Sequence, residues 1–354
     1  MIVIDAHLDL AWNAVSWNRD LRLAVSEIRA SEQGMDGPGR GRNTVSFDAL
    51  RRGEVAVCLA TVLARANPKG KGAFLDYRNQ EIAYAVAQGQ LSYYRICEGL
   101  KYLRMITDWP SLHAHVEAWE ATQGKNLPLG FILSMEGADP IVFPRQAEDW
   151  WQHGLRVVGL AHYGPSAYAV GTGDTGGLTS KGRDLLRVLN SLGMILDATH
   201  LSDQSFWEAL EIFKGPVLAS HNNCRALVPG DRQFSDEQIR ELIRRDAVIG
   251  AAFDCWMLSP TWVAKKSSPS EVGLRHVVDH IDHVCQLAGN SLHAAIGSDL
   301  DGGFGREQSP GDLDTIADLQ RLPQLLGERG YRDSDVEAIL HGNWLRFFKN
   351  AWKG

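Results

Sequence analysis

The sequence predicts a closed (β/α)8 barrel of the TIM type, and three features of its pattern support this prediction. Eight short apolar, β-rich runs alternate with longer stretches of helical period along the 354 residues. The runs are nearly continuous in apolar residues, which is typical of strands covered on both faces in a parallel sheet. The chain length fits one barrel of about 250 residues with insertions. A doubly wound open sheet is the alternative architecture.

The predicted strands are the eight runs 2–9, 55–62, 129–135, 156–161, 194–199, 216–220, 247–253 and 293–299. Predicted helices lie at 75–105, 180–191, 203–213, 235–245, 270–288, 312–321 and 333–350. Ser202 and Ser235 precede two of them, and serine is a favoured residue at a helix start. We predict one domain over 1–354, with C-terminal helices at about 312–350.

Segments rich in glycine and proline at 34–43, 66–72 and 164–178 predict long loops after the first, second and fourth strands. In a barrel of this kind, the loops that follow the strands form the active-site face. We therefore expect insertions at these places to shape the substrate pocket.

Composition and charge argue against several kinds of partner. The net charge is −7 without a long basic run, which disfavours nucleic acid. No stretch approaches the roughly 18 apolar residues of a membrane span, and the N-terminal residues do not resemble a secretory signal. Five scattered cysteines without a C-x-x-C pair predict reduced thiols. We expect a cytoplasmic protein with no membrane partner.

Six of the eight runs end in a residue that can bind a metal ion or transfer a proton. Because the carboxyl ends of barrel strands converge on one face, residues distant in sequence are expected to meet in one pocket. In chain order, these residues are His7 with Asp9, Glu136, His162, His200, His221 and Asp299.

Each of the candidate metal ligands also has a purely structural explanation. His7 and Asp9 are two residues apart and so point the same way from a strand, although an isolated H-x-D pair can arise by chance in a loop. Glu136 could form an ordinary salt bridge, and single histidines such as His200 and His221 are often structural. Together, the five side chains suffice for two ions if one carboxylate bridges. Imidazole and carboxylate donors favour zinc, with manganese, cobalt and iron as alternatives.

Two further groups of polar residues receive different predictions. Asp299 directly follows the last strand, so we assign it an inward, proton-transferring role, whereas Asp301 is predicted to fix the loop. A tight turn or a calcium-type motif is the alternative for this D-x-D-G segment. His276, His280 and His283 share a helix face, but no glutamate completes an H-E-x-x-H motif, so we predict a solvated or packed helix face.

Nine short motifs, in the same order along the chain, resemble the membrane (renal) dipeptidase family and its bacterial zinc dipeptidase branch. They are D-A-H-L-D at 5–9, S-M-E-G-A at 134–138, L-A-H at 160–162, G-G-L-T-x-x-G at 176–182, L-D-A-T-H-L-S at 196–202, S-H-N at 220–222, D-R-Q at 231–233, G-S-D-L-D-G at 297–302 and G-N-W-L-R at 342–346. The resemblance implies a two-zinc barrel, a homodimer, and hydrolysis of dipeptides, often with a D-residue at the C-terminal position.

The resemblance also implies a role for each matching residue. The metal ligands would be His7 and Asp9 for the first zinc ion, His200 and His221 for the second, and Glu136 for both. The substrate would contact His162 near the scissile carbonyl, Arg232 at its free carboxylate, and Asp299. A hydroxide bridging the ions would attack the carbonyl carbon, and Asp299 would pass the proton to the leaving amine. Asp299 and Glu136 are thus the predicted catalytic residues.

Two places depart from the family's pattern, namely Tyr163 and the segment 253–258. Both lie where the substrate is expected, so the side chains that the enzyme prefers stay open. One alternative function is that of another metal-dependent barrel amidohydrolase, acting on N-acyl amino acids or lactones. The H-x-D motif and the bridging glutamate disfavour it. The other alternative is a non-catalytic binder of metal or peptide, which the proton acceptor Asp299 disfavours.

Overall fold

The computed structural model describes residues 1–69 and 75–353, and its centre is a parallel sheet that closes on itself. The barrel strands β1 to β8 are Val3–Leu8, Val55–Leu63, Leu129–Glu136, Leu155–Gly159, Ile195–Asp197, Val217–Leu218, Ile249–Ala251 and Ala294–Ile296. They pair in the order β7-β8-β1-β2-β3-β4-β5-β6. A parallel bridge between Ala219 and Ile249 joins β6 to β7 and closes the ring. The predicted barrel is confirmed, and every predicted run overlaps one barrel strand.

The helices follow the strands and enclose the barrel. Helices α1 to α14 are Leu10–Ser16, Val25–Ser31, Phe47–Arg52, Gln80–Gly99, Trp109–Thr122, Ala147–Gln152, Ser180–Leu192, Asp203–Ile212, Asp236–Arg244, Cys255–Leu258, Leu274–Ala288, Leu322–Glu328, Asp333–Glu337 and Asn343–Ala351. The side chains of Ser202 and Ser235 accept hydrogen bonds from the first turns of α8 and α9, as the sequence predicted. None of the helices described is both long and apolar enough to cross a membrane.

Several predicted helix bounds were wrong. The helix predicted at 75–105 ends at Gly99, because Lys101 adopts a left-handed conformation with φ of 62°. The following Leu103–Met105 pairs with β3 as a short strand. The helix predicted at 312–321 begins as a 3-10 turn at Ile316–Arg321, and Pro323 stands in the first turn of the separate helix α12. The stretch 333–350 contains a π-helical turn at Ala338–Gly342. Helices α1 to α3, α5, α6 and α10 lie outside the predicted helices.

The long loops predicted after the strands were found where the structure describes them. Segments 34–43 and 164–178 contain turns and isolated bridges but no helix or strand. The third predicted loop, 66–72, lies partly outside the described residues, at 70–72. Its flanks form a small two-stranded ribbon in which Arg65–Ala66 pairs with Asp76–Tyr77.

Burial explains why the site forms at the strand ends. Every residue of β2 and β3 is buried, so the interior of the barrel is packed with side chains and leaves little room for a ligand. At the carboxyl end, β3 finishes in Glu136, and polar side chains replace the apolar ones. The strands therefore act as a rigid base that aims these side chains into the mouth of the barrel.

Candidate metal centre and active site

The five predicted metal ligands meet around the carboxylate of Glu136. Its Oε1 lies 3.1 Å from Nε2 of His200 and 3.3 Å from Nε2 of His221. Its Oε2 lies 3.5 Å from Nε2 of His7, and that nitrogen lies 3.9 Å from Oδ2 of Asp9. The two oxygens of one carboxylate thus face two different sets of donors, which is the arrangement that a carboxylate bridging two cations requires.

Unsatisfied polar atoms in the cluster show that these residues fit metal ions. Nε2 of His7 is buried and has no hydrogen-bond partner among the described residues. Nε2 of His200 and Nε2 of His221 lie only 3.1 Å apart. Burial lowers the pKa of both imidazoles well below the usual range, so the rings are neutral and offer lone pairs. A buried donor group without a partner costs free energy, and a cation at this point would remove that cost.

Neighbouring hydroxyl groups hold the ligands in orientation. Oγ1 of Thr172 lies 3.2 Å from Nδ1 of His200, and Oγ of Ser220 lies 2.8 Å from Nδ1 of His221. A hydroxyl oxygen that accepts a hydrogen bond from Nδ1–H leaves the lone pair of Nε2 directed at the centre. The hydroxyl of Thr61 donates to Oδ1 of Asp9 and holds that carboxylate in the same way.

The electrostatics of the cluster are dominated by carboxylates crowded together without solvent. Burial raises the pKa of Asp9 and of Asp299 above the usual range, and the charge of Glu136 raises both further. Burial alone would lower the pKa of His7, but Glu136, Asp9 and Asp299 outweigh it and raise it to about 10. This excess of negative charge suits divalent cations, whose own charge would compensate it.

His162 and Asp299 stand beside the predicted ligands. Nε2 of His162 lies 3.6 Å from Oε1 of Glu136, and Oδ1 of Asp299 lies 3.7 Å from Nε2 of His7. Burial, with Arg65 and other cations adding to it, lowers the pKa of His162 to about 4, so its ring is neutral and can donate an N–H. Within residues 1–69 and 75–353, three sets of side chains are close enough to hold an ion, namely His7, His221 and Asp299; Glu136, His162 and His200; and His7, Asp9 and Glu136.

A pocket of about 370 Å³ opens over this cluster. Arg232, predicted as the substrate's carboxylate partner, lines it, although only 3% of the residue is exposed. Its guanidinium donates to Oδ1 of Asn222 at 2.8 Å and to the carbonyl oxygen of His221 at 2.9 Å. These two bonds fix the plane of the guanidinium at the wall of the pocket.

Arg65 and Asp254 also line the pocket, and sequence reasoning missed both. They follow β2 and β7, the two strands for which the sequence predicted no metal-binding or proton-transferring residue. The same rule of inspecting strand ends would have found them if it had extended two or three residues further. Nη1 of Arg65 lies 3.3 Å from Nδ1 of His162, and Nε of Arg65 donates to Asp76 at 2.8 Å.

Asp301 holds the loop that carries Asp299, in agreement with its predicted role. Its buried carboxylate accepts hydrogen bonds from the backbone N–H groups of Thr44, at 2.7 Å, and Val45, at 3.0 Å. Nη1 of Arg19 lies 3.5 Å from the same carboxylate. The connection between β1 and β2 is thereby tied to the end of β8.

The histidines of α11 make structural contacts. Nδ1 of His280 accepts from the backbone N–H of Cys224 at 3.1 Å, and Nε2 of His283 lies 2.8 Å from Oδ1 of Asp236. Nδ1 of His276 contacts the backbone of Gly273 at the start of the same helix. These contacts agree with the predicted packed helix face.

Comparison with known proteins agrees with this geometry. The sequence model of the membrane dipeptidase family, peptidase family M19, matches residues 1–353. An uncharacterised protein in the pqqA 5′ region of Klebsiella pneumoniae is 35% identical over 184 residues, which are 52% of this chain and 65% of that protein. Dipeptidase tcpJ of Claviceps purpurea is 30% identical over 205 residues, which are 56% of this chain and 45% of that protein. The matches thus span about half to two thirds of these relatives.

A solved structure shares the fold over its full length. The metallopeptidase from Rhodobacter sphaeroides, liganded with a phosphinate mimic of the dipeptide L-Ala-D-Ala, has a TM-score of 0.79 and 22% identity, with 99% of each chain covered. The resemblance inferred from the sequence motifs is confirmed by the family match. Because that match runs along almost the whole chain and includes every residue gathered at the barrel mouth, the chain belongs to the membrane dipeptidase family.

Proposed function

We propose that the protein is a metal-dependent dipeptidase whose substrates carry a free C-terminal carboxylate. The observation that carries the proposal is the position of Glu136, whose two oxygens face two separate sets of donors beneath a small pocket. Membership of the dipeptidase family, the relative named dipeptidase tcpJ and the peptidase solved with a mimic of L-Ala-D-Ala support it. The last of these extends the proposal to dipeptides of the form L-Xaa-D-Xaa.

The donor set favours two zinc ions in each chain. His7 and Asp9 would hold the first ion, His200 and His221 the second, and Glu136 both, since neutral imidazole and carboxylate are donors that zinc prefers. When bound, such ions lower the pKa of water toward 7 and polarise a carbonyl oxygen, which makes a nucleophile available at neutral pH. The crowded carboxylates and the buried Nε2 of His7 support this occupancy.

The remaining residues would position the dipeptide and move its protons. The neutral ring of His162 would donate an N–H to the scissile carbonyl oxygen, and loss of one such donor typically costs about 100-fold or more in rate. The carboxylate of Asp299 would accept the proton of the attacking water and deliver it to the leaving amine. The guanidinium of Arg232 would bind the substrate's carboxylate with two parallel hydrogen bonds.

A substrate screen on zinc-loaded protein tests the proposal. Dipeptides of the L-Xaa-L-Xaa and L-Xaa-D-Xaa series are compared with tripeptides, N-acyl amino acids and lactones, and bound zinc is counted by elemental analysis. We expect two zinc ions per chain and hydrolysis of dipeptides in preference to the other compounds. Faster hydrolysis of N-acyl amino acids or lactones would assign the site to another amidohydrolase activity. Two bound zinc ions without any turnover would leave a non-catalytic binder.

Substitution of Glu136 by glutamine tests whether this residue is needed for metal binding and turnover. The amide cannot bridge two cations through charged oxygens, so the zinc content should fall below two and the rate by about 100-fold or more, as for other essential charge-stabilising groups. Glu148→Gln on the exposed surface of α6 is the matched control and should retain full zinc and activity. A Glu136→Gln variant with unchanged zinc and turnover contradicts the proposed centre.

We also propose that the protein acts in the cytoplasm as a homodimer. The five cysteines are free and buried, which suits a reducing compartment, and the dimer follows from the family resemblance. Light scattering on the purified protein measures the mass in solution, and cell fractionation measures the location. A monomer in solution or a secreted protein would contradict the respective part.

A further inference from the structure

Asp254 is a pocket carboxylate to which the proposed reaction gives no role. It follows β7 in the segment where the sequence departs from the family's pattern, and it lines the pocket beside Arg232 and Met257. Only 5% of the residue is exposed. The groups around Asp254 determine how far its negative charge is compensated.

The partners of this carboxylate in the described part of the chain are neutral. Oδ2 accepts from the indole N–H of Trp256 at 2.6 Å and from the side-chain amide of Gln308 at 2.9 Å. Oδ1 accepts from the backbone N–H of Trp256, at 3.4 Å. Burial raises the pKa of Asp254 to about 7, and Arg232 is the nearby cation that partly opposes this rise. A buried carboxylate with neutral partners is costly unless a cation approaches it.

The position of Asp254 in the barrel indicates which part of a substrate it meets. Arg232 lies in the loop after β6, and β6 and β7 are neighbours in the ring. Gly302 in the loop after β8, Trp12 in α1 and Leu63 at the end of β2 also line the pocket. If the substrate's terminal carboxylate lies on Arg232, the side chain of the same C-terminal residue is the part beside Asp254.

Charge balance then selects the substrate. The guanidinium of Arg232 partly compensates the charge of Asp254. When the substrate's carboxylate binds to Arg232, this carboxylate and Asp254 both depend on the same positive charge. A cation on the substrate's side chain removes this conflict, whereas a further anion increases it. We propose that Asp254 forms a subsite for a cationic side chain, so that the preferred substrates are dipeptides with a lysine-like or arginine-like C-terminal residue. This inference rests on the proposed dipeptidase function.

Kinetics on substrates that differ in side-chain charge test the subsite. L-Ala-Lys and L-Ala-norleucine differ in the terminal ammonium group, and L-Ala-Glu provides an anion, with each second residue tested in the L and D forms. For the wild type we expect kcat/KM to be higher for lysine than for norleucine by about tenfold or more, as for one hydrogen bond between charged groups, and lowest for glutamate. Asp254→Asn, which has the same shape, should bring the lysine to norleucine ratio close to one.

Two controls keep the outcomes distinct. Asp149→Asn, on the exposed surface of α6, removes the same charge and should leave the ratio unchanged. Binding of free lysine and free norleucine, measured by calorimetry, reports on the subsite without turnover, and lysine should bind more tightly only when Asp254 is present.

The two proposals fail separately. Dipeptide hydrolysis without a preference for lysine, or an equal loss of kcat/KM for all dipeptides in Asp254→Asn, overturns the subsite and leaves the dipeptidase function intact. The second pattern would instead place the substrate's amino terminus on Asp254. Asp254-dependent binding of lysine without hydrolysis of any dipeptide supports the subsite and overturns the dipeptidase function.

Discussion

Replacing Arg232 with lysine tests how the pocket recognises its substrate. The guanidinium is almost completely buried and donates to Asn222 at 2.8 Å and to the carbonyl oxygen of His221 at 2.9 Å. A lysine ammonium keeps the charge but has a single nitrogen, so it cannot hold both partners and also form a forked contact with a carboxylate. The variant therefore tests the geometry of the contact with the substrate's carboxylate while the positive charge is kept.

The expected loss follows from the hydrogen bonds that disappear. A hydrogen bond to a charged group contributes about 1.5–3 kcal/mol, so the loss of one bond to the substrate should raise KM about 10- to 150-fold. The change in kcat should be smaller, because the carboxylate lies away from the reacting bond. Arg240→Lys on the exposed side of α9 is the matched control and should have wild-type kinetics.

The assay compares L-Ala-L-Ala with its C-terminal amide. The wild type should prefer the free acid, and Arg232→Lys should reduce the ratio of the two kcat/KM values. Because Arg232 also contacts the backbone of His221, the zinc content of the variant is measured in parallel. An acid-to-amide ratio that stays at the wild-type value would refute the assignment, whatever happens to the absolute rates.

Three further predictions concern the support of the site. In Gly302→Ala the added Cβ would clash with the carboxylate of Asp299, so kcat should fall by about 100-fold or more, the usual contribution of a general acid–base group, with zinc content unchanged. Unaltered kcat would show that Asp299 transfers no proton. In Asp301→Ala the backbone N–H groups of Thr44 and Val45 lose their buried acceptor while Arg19 keeps its pair with Glu32, so the free energy of unfolding in urea should fall by about 1.5–3 kcal/mol, and a change near zero contradicts the loop-fixing role. Removal of metal with a chelator should lower the thermal midpoint, by an amount equivalent to about 2.7 kcal/mol for an ion present at 100 times its Kd. Zinc should restore it and magnesium should not, because imidazole donors suit zinc.

The barrel and the gathering of the ligands could be predicted for a simple physical reason. Parallel strands buried on both faces need continuous apolar runs, so their positions are visible in the sequence. Closure of such strands brings their carboxyl ends to one face, so Glu136 and His200 had to lie near each other once both followed a strand. The bounds of helices were less predictable, as the early end of α4 at Gly99 shows, because local conformation at a helix end decides them.

The sequence by itself thus determined which chemical groups lie at the mouth of the barrel and which strand carries each of them. Tertiary structure alone decided how these groups face one another. The two oxygens of Glu136 face His7 on one side and His200 with His221 on the other, and Asp301 is held by Thr44, 257 residues away in the chain. Both arrangements depend on side-chain directions and loop paths. Those directions are set by packing between distant segments, and no local pattern of residues records them.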